Sequence, residues 1–179
     1  MNDFYIVLSR SHTTVAMLVR MFTHKYYNHT SLAFSRDLDN FHSFGRKNPK
    51  LLLPAGYIQE SVETGYFGLW PNTKIAVLHG QLDDEQFGKL QENLSVFESE
   101  PERYRYSIRG LPTIFFGIPW DRQNHYTCSG FVAYLFRDIL HFGKHYSLVE
   151  PEDFLKFGFN TIYEGRAGDY TNEKLSVQH

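Results

Sequence analysis

The spacing of hydrophobic residues changes several times along the first third of the chain. Residues 4–8 are apolar and β-branched as in a strand, and residues 15–22 repeat apolar positions at helical spacing behind two threonines. Residues 29–34 and 41–44 each have strand character, and the stretch 35–40 between them is polar and rich in turn-forming residues. The pattern therefore predicts a strand, a helix and a β-hairpin, in that order.

The middle of the chain contains one strong helix pattern between weaker signals. Residues 46–71 combine Pro and Gly with scattered aromatics and predict irregular structure, whereas residues 74–78 predict a strand. Asp83 opens a sequence that resembles a capping box, and the apolar positions behind it share one helix face: Phe87, Leu90, Leu94 and Phe97. Residues 113–118 predict a further short strand.

The last third of the chain predicts a loop, a buried helix and a final strand. An apolar stripe over residues 129–140 has the helical period, and Gly143 is expected to end that helix. A Pro-led helical turn over residues 151–156 and a strand over residues 161–164 follow. Mixed helices and strands in 179 residues with 42% hydrophobic content predict one α+β domain over residues 1–179.

Charge and composition narrow the classes of function. Lys and Arg number 18 against 20 Asp and Glu, so the net charge of −2 provides no electrostatic footprint for nucleic acid or an anionic membrane. The start of the chain lacks an apolar run long enough for a signal peptide or a membrane span, so we expect a cytoplasmic protein. A single cysteine fits a reducing compartment and makes the chemistry of Cys128 the central question.

Cys128 stands where the predicted loop becomes the predicted buried helix. Unpaired backbone N–H groups and the positive end of the helix dipole favour a thiolate at such a position, which is the setting of a nucleophile. The alternative is an inert buried cysteine that packs as a small hydrophobic residue. Position alone does not separate the two.

A thiol nucleophile needs an imidazole as its base and a further polar group to fix the tautomer of that ring. His29 opens the first hairpin strand and His42 lies in the partner strand, so antiparallel pairing is expected to place both on one face. His141 and His145 have the spacing of a zinc pair, but a glycine interrupts the helix between them and no acidic or cysteine cluster accompanies them. We therefore predict a catalytic triad of Cys128, His29 and His42 with no metal and no cofactor, and a structural or surface role for the other histidines.

The segment Cys128-Ser-Gly-Phe-Val132 resembles the nucleophile segment of NlpC-type cysteine peptidases, in which Cys-Ser-Gly opens the central helix of a papain-like fold. Because His29 precedes the cysteine, the order resembles the circularly permuted branch that includes YiiX-like proteins and lecithin retinol acyltransferases. The stretch Tyr27-Asn-His-Thr30, after a predicted strand and short helix, is similar to the start of those permuted members. The resemblance covers about residues 4–44 and 120–165.

The resemblance implies a permuted papain-like fold, in which a small antiparallel sheet packs against the helix that carries Cys128. It leaves residues 45–120 as a family-specific insertion that shapes the cleft. It also implies an oxyanion hole from the backbone N–H of Cys128 and a nearby donor, for which Tyr126 is the candidate, with plain packing of that ring as the alternative. Thr127 stands where peptidoglycan-cleaving relatives carry an acidic residue that recognises a free amine, which argues against a muropeptide substrate.

These features predict a cysteine peptidase or amidase that acts on a small-molecule, peptide or acyl substrate through a thioester acyl-enzyme. Two alternatives stay open, namely a thiol-dependent lipid acyltransferase or esterase and a catalytically silent binding module. The lack of a membrane anchor or a basic amphipathic helix disfavours a membrane partner, and the charge balance disfavours nucleic acid.

Overall fold

The part of the chain that the structure describes is organised around one eight-stranded sheet. The computed structural model describes residues 1–10, 25–48, 50–51 and 53–170. The strands are β1 (Asn2–Arg10), β2 (His29–Ala33), β3 (Phe41–Arg46), β4 (Ala55–Glu60), β5 (Lys74–Leu82), β6 (Arg105–Tyr106), β7 (His125–Tyr126) and β8 (Asn160–Arg166). The α-helices are α1 (Gly65–Leu69), α2 (Asp84–Ser99), α3 (Gly110–Phe115) and α4 (Cys128–Leu135), and 3-10 helices cover Pro101–Arg103, Tyr146–Leu148 and Pro151–Phe157. The predicted α+β class is confirmed.

Neighbouring strands follow the order β7-β6-β4-β3-β2-β1-β5-β8. All neighbours are antiparallel except β6 and β7, which run parallel. β2 and β3 form the predicted hairpin, with Ser31 opposite Ser43 and Leu32 opposite His42. The hairpin is therefore confirmed, and its register decides which side chains meet at the candidate site.

The two faces of β1 are both buried, and each packs into a different hydrophobic cluster. Phe4, Ile6 and Leu8 enter the larger cluster, which also contains the buried residues of α2 and α4. Tyr5 and Val7 enter a second cluster on the opposite face. Because neither face meets water, the strand is a nearly continuous apolar run rather than an alternation of polar and apolar residues. The strand predicted over residues 4–8 is confirmed.

The strongest helix prediction is also confirmed. α2 begins behind a capping box, in which the Asp83 side chain accepts a hydrogen bond from the Gln86 N–H at 2.8 Å. Its buried face consists of three predicted residues: Leu90, Leu94 and Phe97. The predicted strands over residues 74–78 and 161–164 lie within β5 and β8, and the Pro-led turn is the 3-10 helix at Pro151–Phe157.

Two predictions for the second half of the chain need correction. The strand predicted over residues 113–118 is wrong, because this segment is the end of α3 followed by a turn whose backbone hydrogen bonds are local rather than shared with a neighbouring strand. The predicted buried helix ends early, at Leu135, and the rest of its apolar stripe follows turns such as the one that joins Leu140 N–H to Phe136 O. Burial of an apolar stripe therefore did not require a continuous helix.

Residues 45–120 are built into the sheet. They contribute β4, β5 and β6, and β5 pairs with the whole length of β1. This segment, which the resemblance sets apart as an insertion, thus forms part of the core. It also provides most of the residues that line a pocket beside His29.

Some sequence predictions concern parts of the chain outside the described residues. These are the helix over residues 15–22 and three of the histidines, His12, His24 and His179. Of the helices that the structure describes, none has the length and apolar character needed to cross a membrane.

Candidate active site

Cys128 is the first residue of α4, at the predicted change from loop to helix. The Thr127 side chain caps the helix by accepting a hydrogen bond from the Gly130 N–H at 3.1 Å. The thiol lies in the first turn, where backbone N–H groups have no partner within the helix and the dipole is positive. Cys128 is only 2% exposed, so neighbouring groups rather than bulk water set the pKa of its thiol.

The structure brings the imidazole of His29, the first residue of β2, to the thiol of Cys128. Burial alone would raise the pKa of the Cys128 thiol, but attraction and hydrogen bonding to His29 lower it below its usual value. Burial would likewise lower the pKa of His29, yet the Cys128 thiolate and, to a smaller extent, Glu60 raise it to about 10. Each group stabilises the charged form of the other, so the pair favours a thiolate and an imidazolium.

Further groups at the start of β2 and on β6 surround the sulfur. The Tyr106 hydroxyl donates a hydrogen bond to Sγ at 3.9 Å, and a hydrogen bond from the Thr30 backbone also lowers the pKa of the thiol. A protonated thiol instead donates to the Asn28 carbonyl oxygen, also at 3.9 Å. The donors from Tyr106 and Thr30 add to the effect of His29 and favour the thiolate.

Ser43 and Glu60 hold the other side of the His29 ring. The Ser43 hydroxyl donates to the Thr30 carbonyl oxygen at 3.0 Å, so it accepts the Nε2–H of His29, which also lies at 3.0 Å. With Nε2 engaged in this way, Nδ1 is the nitrogen left for the thiol. Glu60 Oε2 lies 3.7 Å from Nε2 and is buried without a hydrogen-bond partner in the described structure. Its negative charge stabilises the imidazolium form of His29.

His42, the predicted third catalytic residue, does not contact His29. Its Nδ1 lies 2.7 Å from the Tyr57 hydroxyl, and burial lowers its pKa to about 4. The reason is the register of the hairpin: Ser31 shares a face with His29 and is paired with Ser43, so the neighbouring residue of β3 points to the opposite face. Ser43 therefore occupies the position that the sequence analysis assigned to His42.

Tyr126, the predicted oxyanion donor, belongs to an aromatic cluster and lines a different cavity. Its ring packs against five others: Phe44, Phe97, Tyr104, Tyr134 and Tyr146. Tyr106 is its partner in the parallel pair of β6 and β7, and the hydroxyl that reaches Sγ is that of Tyr106. Sequence reasoning missed Tyr106, Ser43 and Glu60. Ser43 and Glu60 each lie next to another polar residue, His42 and Gln59, so the polar pattern of β3 and β4 did not single them out, and a two-residue strand offers no periodic signal for Tyr106.

A pocket of about 330 Å³ opens beside His29 and Tyr106. Arg46 and Glu60 place charges in its wall, and much of the remaining lining is apolar or aromatic: Phe44, Ala55, Tyr57, Ile58, Tyr66 and Phe67. The His29 side chain is 18% exposed and lines the pocket, whereas Cys128 is 2% exposed and is not among the lining residues, so a ligand in the pocket meets the imidazole of the pair. The volume lies at the lower end of the range for small-molecule sites, so it suits a small ligand better than a long polymer.

His141 and His145, which have the spacing of a zinc pair, do not lie on one helix. α4 ends before His141, and His145 Nδ1 is hydrogen-bonded to the Ser147 hydroxyl at 2.8 Å. Among the described residues, no group of three or more His, Cys, Asp or Glu side chains is arranged to hold a metal ion.

Replacing Tyr106 with phenylalanine is expected to raise the pKa of the Cys128 thiol, because the thiolate loses a donor while the ring is kept. The rate of alkylation by iodoacetamide at about pH 6 should fall about three- to tenfold. Tyr126→Phe is the matched control and should react like the wild type, since that hydroxyl is not among the contacts of the sulfur. Equal rates for both variants would show that Tyr106 does not stabilise the thiolate.

Comparison with known proteins adds no relative from which a function could be transferred. The sequence matches no protein-family model, and no curated protein matches it significantly. The case for a function therefore depends on the geometry around Cys128.

Proposed function

We propose that this protein is a cysteine hydrolase, a peptidase or amidase that cleaves its substrate by acyl transfer to Cys128. The observation that carries the proposal is the pairing of Cys128 with His29, in which each side chain shifts the pKa of the other toward the charged form. Structural ion pairs also shift pKa values. Here the imidazole of the pair lines a pocket, and a hydroxyl fixes the far nitrogen of its ring, as nucleophilic catalysis requires.

In the first half of the reaction, the Cys128 thiolate attacks the carbonyl carbon of the substrate. A C–S bond forms and an electron pair moves to the carbonyl oxygen, where the Cys128 backbone N–H and the Tyr106 hydroxyl are the candidate donors. His29 then gives its Nδ1 proton to the leaving amine or alkoxide as the C–N or C–O bond breaks. The products are a thioester on Cys128 and a neutral imidazole.

In the second half, water resolves the thioester. Neutral His29 takes a proton from water while the oxygen adds to the thioester carbonyl, and the C–S bond breaks to release the carboxylic acid. Cys128 leaves as a thiolate beside the imidazolium, which restores the starting pair. Ser43 holds the ring in one orientation through both halves, and Glu60 stabilises the imidazolium at the start and the end.

The same arrangement supports a permuted papain-like fold as a proposal on the architecture. In that fold the nucleophile opens a helix and the base opens a strand packed against it, and α4 and β2 are related in this way. β2 precedes α4 in the chain, which is the permuted order.

A thiol-dependent acyltransferase or esterase is the second candidate, favoured by the largely apolar and aromatic lining of the pocket. The first half of the reaction would be the same for an ester substrate. An alcohol or amine would then take the place of water in attacking the thioester, and the product would be a new ester or amide.

Trapping the thioester tests the proposed function. The wild type is mixed with a panel of nitrophenyl esters and amino-acid anilides, quenched in acid and weighed intact by mass spectrometry. We expect a mass increase equal to the acyl group, located on Cys128, and no adduct on Cys128→Ala. Release of the free acid supports the hydrolase, and transfer to added glycerol or amine supports the acyltransferase. The absence of any adduct, together with a thiol that alkylates at an ordinary rate, would contradict both and favour a binding module.

Glu60→Gln is expected to lower the pKa of His29, because the group facing Nε2 loses its negative charge. In the wild type, turnover should fall as the pH rises through about 10, since a neutral His29 has no proton for the leaving group. In the variant this alkaline limb should move to lower pH by about one pH unit. Glu98→Gln is the matched control, because Glu98 lies 3.7 Å from His42 instead. If the alkaline limb of the pH profile does not move in Glu60→Gln, Glu60 does not act on His29.

A further inference from the structure

The segment that follows α3 exposes large apolar side chains at adjacent positions. Phe115, Phe116 and Ile118 are 57%, 67% and 57% exposed, and Trp120 is 38% exposed. Single apolar residues on a surface are ordinary, but a contiguous cluster marks a surface that binds something. Residues 115–120 are called the aromatic tip below.

The aromatic tip is a tight turn rather than a broad patch. Gly117 has a φ of 64°, a left-handed conformation that turns the chain directly after Phe116. The rings of Phe115 and Phe116 pack edge to face with their centroids 5.2 Å apart. At the other end, the backbone N–H of Trp120 donates a hydrogen bond to Ser147 Oγ at 3.1 Å, which ties the base of the tip to the rest of the protein.

Two arginines without acidic partners lie at the base of the aromatic tip. Arg109 and Arg122 line a cleft of about 200 Å³ together with Trp120. Neither guanidinium forms an ion pair with a side chain that the structure describes. The acidic residue next to them, Asp121, already accepts a hydrogen bond from the Tyr146 hydroxyl at 2.6 Å. Two arginines against one aspartate leave the base of the tip with a local excess of positive charge, although the chain carries a net charge of −2.

We propose that the aromatic tip docks this protein on membrane surfaces that contain anionic lipids. Exposed aromatic side chains favour the boundary between headgroups and acyl chains. Arginines set behind them meet lipid phosphates, which a guanidinium binds with two parallel hydrogen bonds. Polarity increases from phenylalanine through tryptophan to arginine. A lipid monolayer becomes more polar in the same order, from its acyl chains through the interface to its phosphates. The net charge of −2 disfavoured an anionic membrane because it is a sum over the whole chain. It does not register the local arrangement of aromatic side chains next to arginines.

The shape of the tip favours a lipid surface over a protein partner. A stable protein interface buries about 800 Å² on each side, which needs a broad complementary surface. The aromatic tip is only six residues long and lies at one turn. It can therefore insert into a lipid surface, which deforms around it. Ile108 lines both the arginine cleft and the pocket beside His29, so docking would bring the pocket close to the lipid surface. The proposal does not depend on the proposed function.

Co-sedimentation with large vesicles tests docking without a substrate. The full chain should bind vesicles of phosphatidylcholine and phosphatidylglycerol in equal parts at least about tenfold more tightly than vesicles of phosphatidylcholine alone. The double variant Phe115→Ser/Phe116→Ser should bind the mixed vesicles about tenfold more weakly or worse. Arg109→Gln/Arg122→Gln should lose about thirtyfold on mixed vesicles at low salt, and should bind pure phosphatidylcholine vesicles like the wild type.

Two single variants are matched controls for the vesicle experiment. Leu69 is 48% exposed outside the aromatic tip, and Arg103 is already paired with Glu100 at 2.9 Å, so Leu69→Ser and Arg103→Gln should bind like the wild type. Equal binding of the wild type to both kinds of vesicle, or unchanged binding of both double variants, would overturn the proposal. Self-association that requires the tip, without vesicle binding, would also overturn it and assign the tip to a second copy of the chain.

Discussion

Replacing His29 with alanine should lower the alkylation rate of Cys128 at about pH 6 by roughly a hundredfold. In the wild type the imidazolium lowers the pKa of the thiol, so thiolate persists at a pH where a free cysteine, with a pKa of about 8.5, is almost fully protonated. In the variant, burial acts on the thiol without that cation and raises the pKa of the thiol. The variant's rate should therefore climb about tenfold per pH unit where the wild-type rate is nearly flat. Iodoacetamide labelling, followed by mass spectrometry from acid to alkaline pH, measures both profiles.

His79→Ala is the matched control for the loss of an imidazole. His79 pairs with Asp3 at 2.8 Å and is not among the groups that shift the pKa of Cys128, so this variant should follow the wild-type profile. Circular dichroism should confirm that both variants are folded. An ordinary thiol titration in the wild type, or superimposable profiles for the wild type and His29→Ala, would contradict the pairing of Cys128 with His29.

Replacing Cys128 with serine should lower turnover at least about a thousandfold on any substrate that forms the thioester. Oxygen fills nearly the same space as sulfur, but a serine hydroxyl has a far higher pKa than a thiol, so His29 cannot keep it ionised. His29 itself loses the thiolate, which is the strongest of the attractions that raise its pKa, so the pKa of His29 should fall below about 10. Steady-state kinetics measures the first effect, and an NMR titration of the imidazole measures the second.

Ser129→Ala, one position further along α4, is the control for disturbance of the helix start. Ser129 Oγ donates to the Val149 carbonyl oxygen at 2.5 Å, so its loss should reduce the free energy of unfolding by about 1 kcal/mol. Turnover should stay within about twofold of the wild type, because that hydroxyl is bonded to Val149 rather than to a group of the candidate site. Turnover of Cys128→Ser within about tenfold of the wild type would mean that another group is the nucleophile.

The positions of Cys128 and His29 on their elements were predictable because each depends on neighbours in the chain. Thr127 caps a helix whose apolar stripe begins right behind the cysteine, and His29 opens a run of strand-forming residues. The third group was not predictable, because His42 and Ser43 are adjacent and only the register of the hairpin decides which one faces His29. A slip of one residue in pairing would have exchanged their roles.

The positions of Glu60 and Tyr106 at the candidate site depend on the complete sheet. Glu60 reaches His29 because β4 pairs with β3, and Tyr106 reaches the sulfur because β6 pairs with β4 across a single ladder contact. The β4–β6 pairing joins segments that are far apart in sequence, and hydrophobic period carries no information about which strand lies beside which. The aromatic residues at positions 106 and 126 are chemically alike, so composition could not separate the one at the thiol from the one in the aromatic cluster.

The sequence by itself determined the elements whose patterns are local, such as the apolar strand β1, the capped helix α2, the hairpin of β2 and β3, and a cysteine at a helix start. It did so because side-chain period, capping and turn chemistry act over a few residues. Only the tertiary structure decided the partners of His29, the donor at the sulfur, and the exposure of the segment 115–120, for which strand propensity predicted the wrong element. Those outcomes depend on strand register and on which surfaces are left uncovered when the sheet is complete, and both follow from packing of the whole chain.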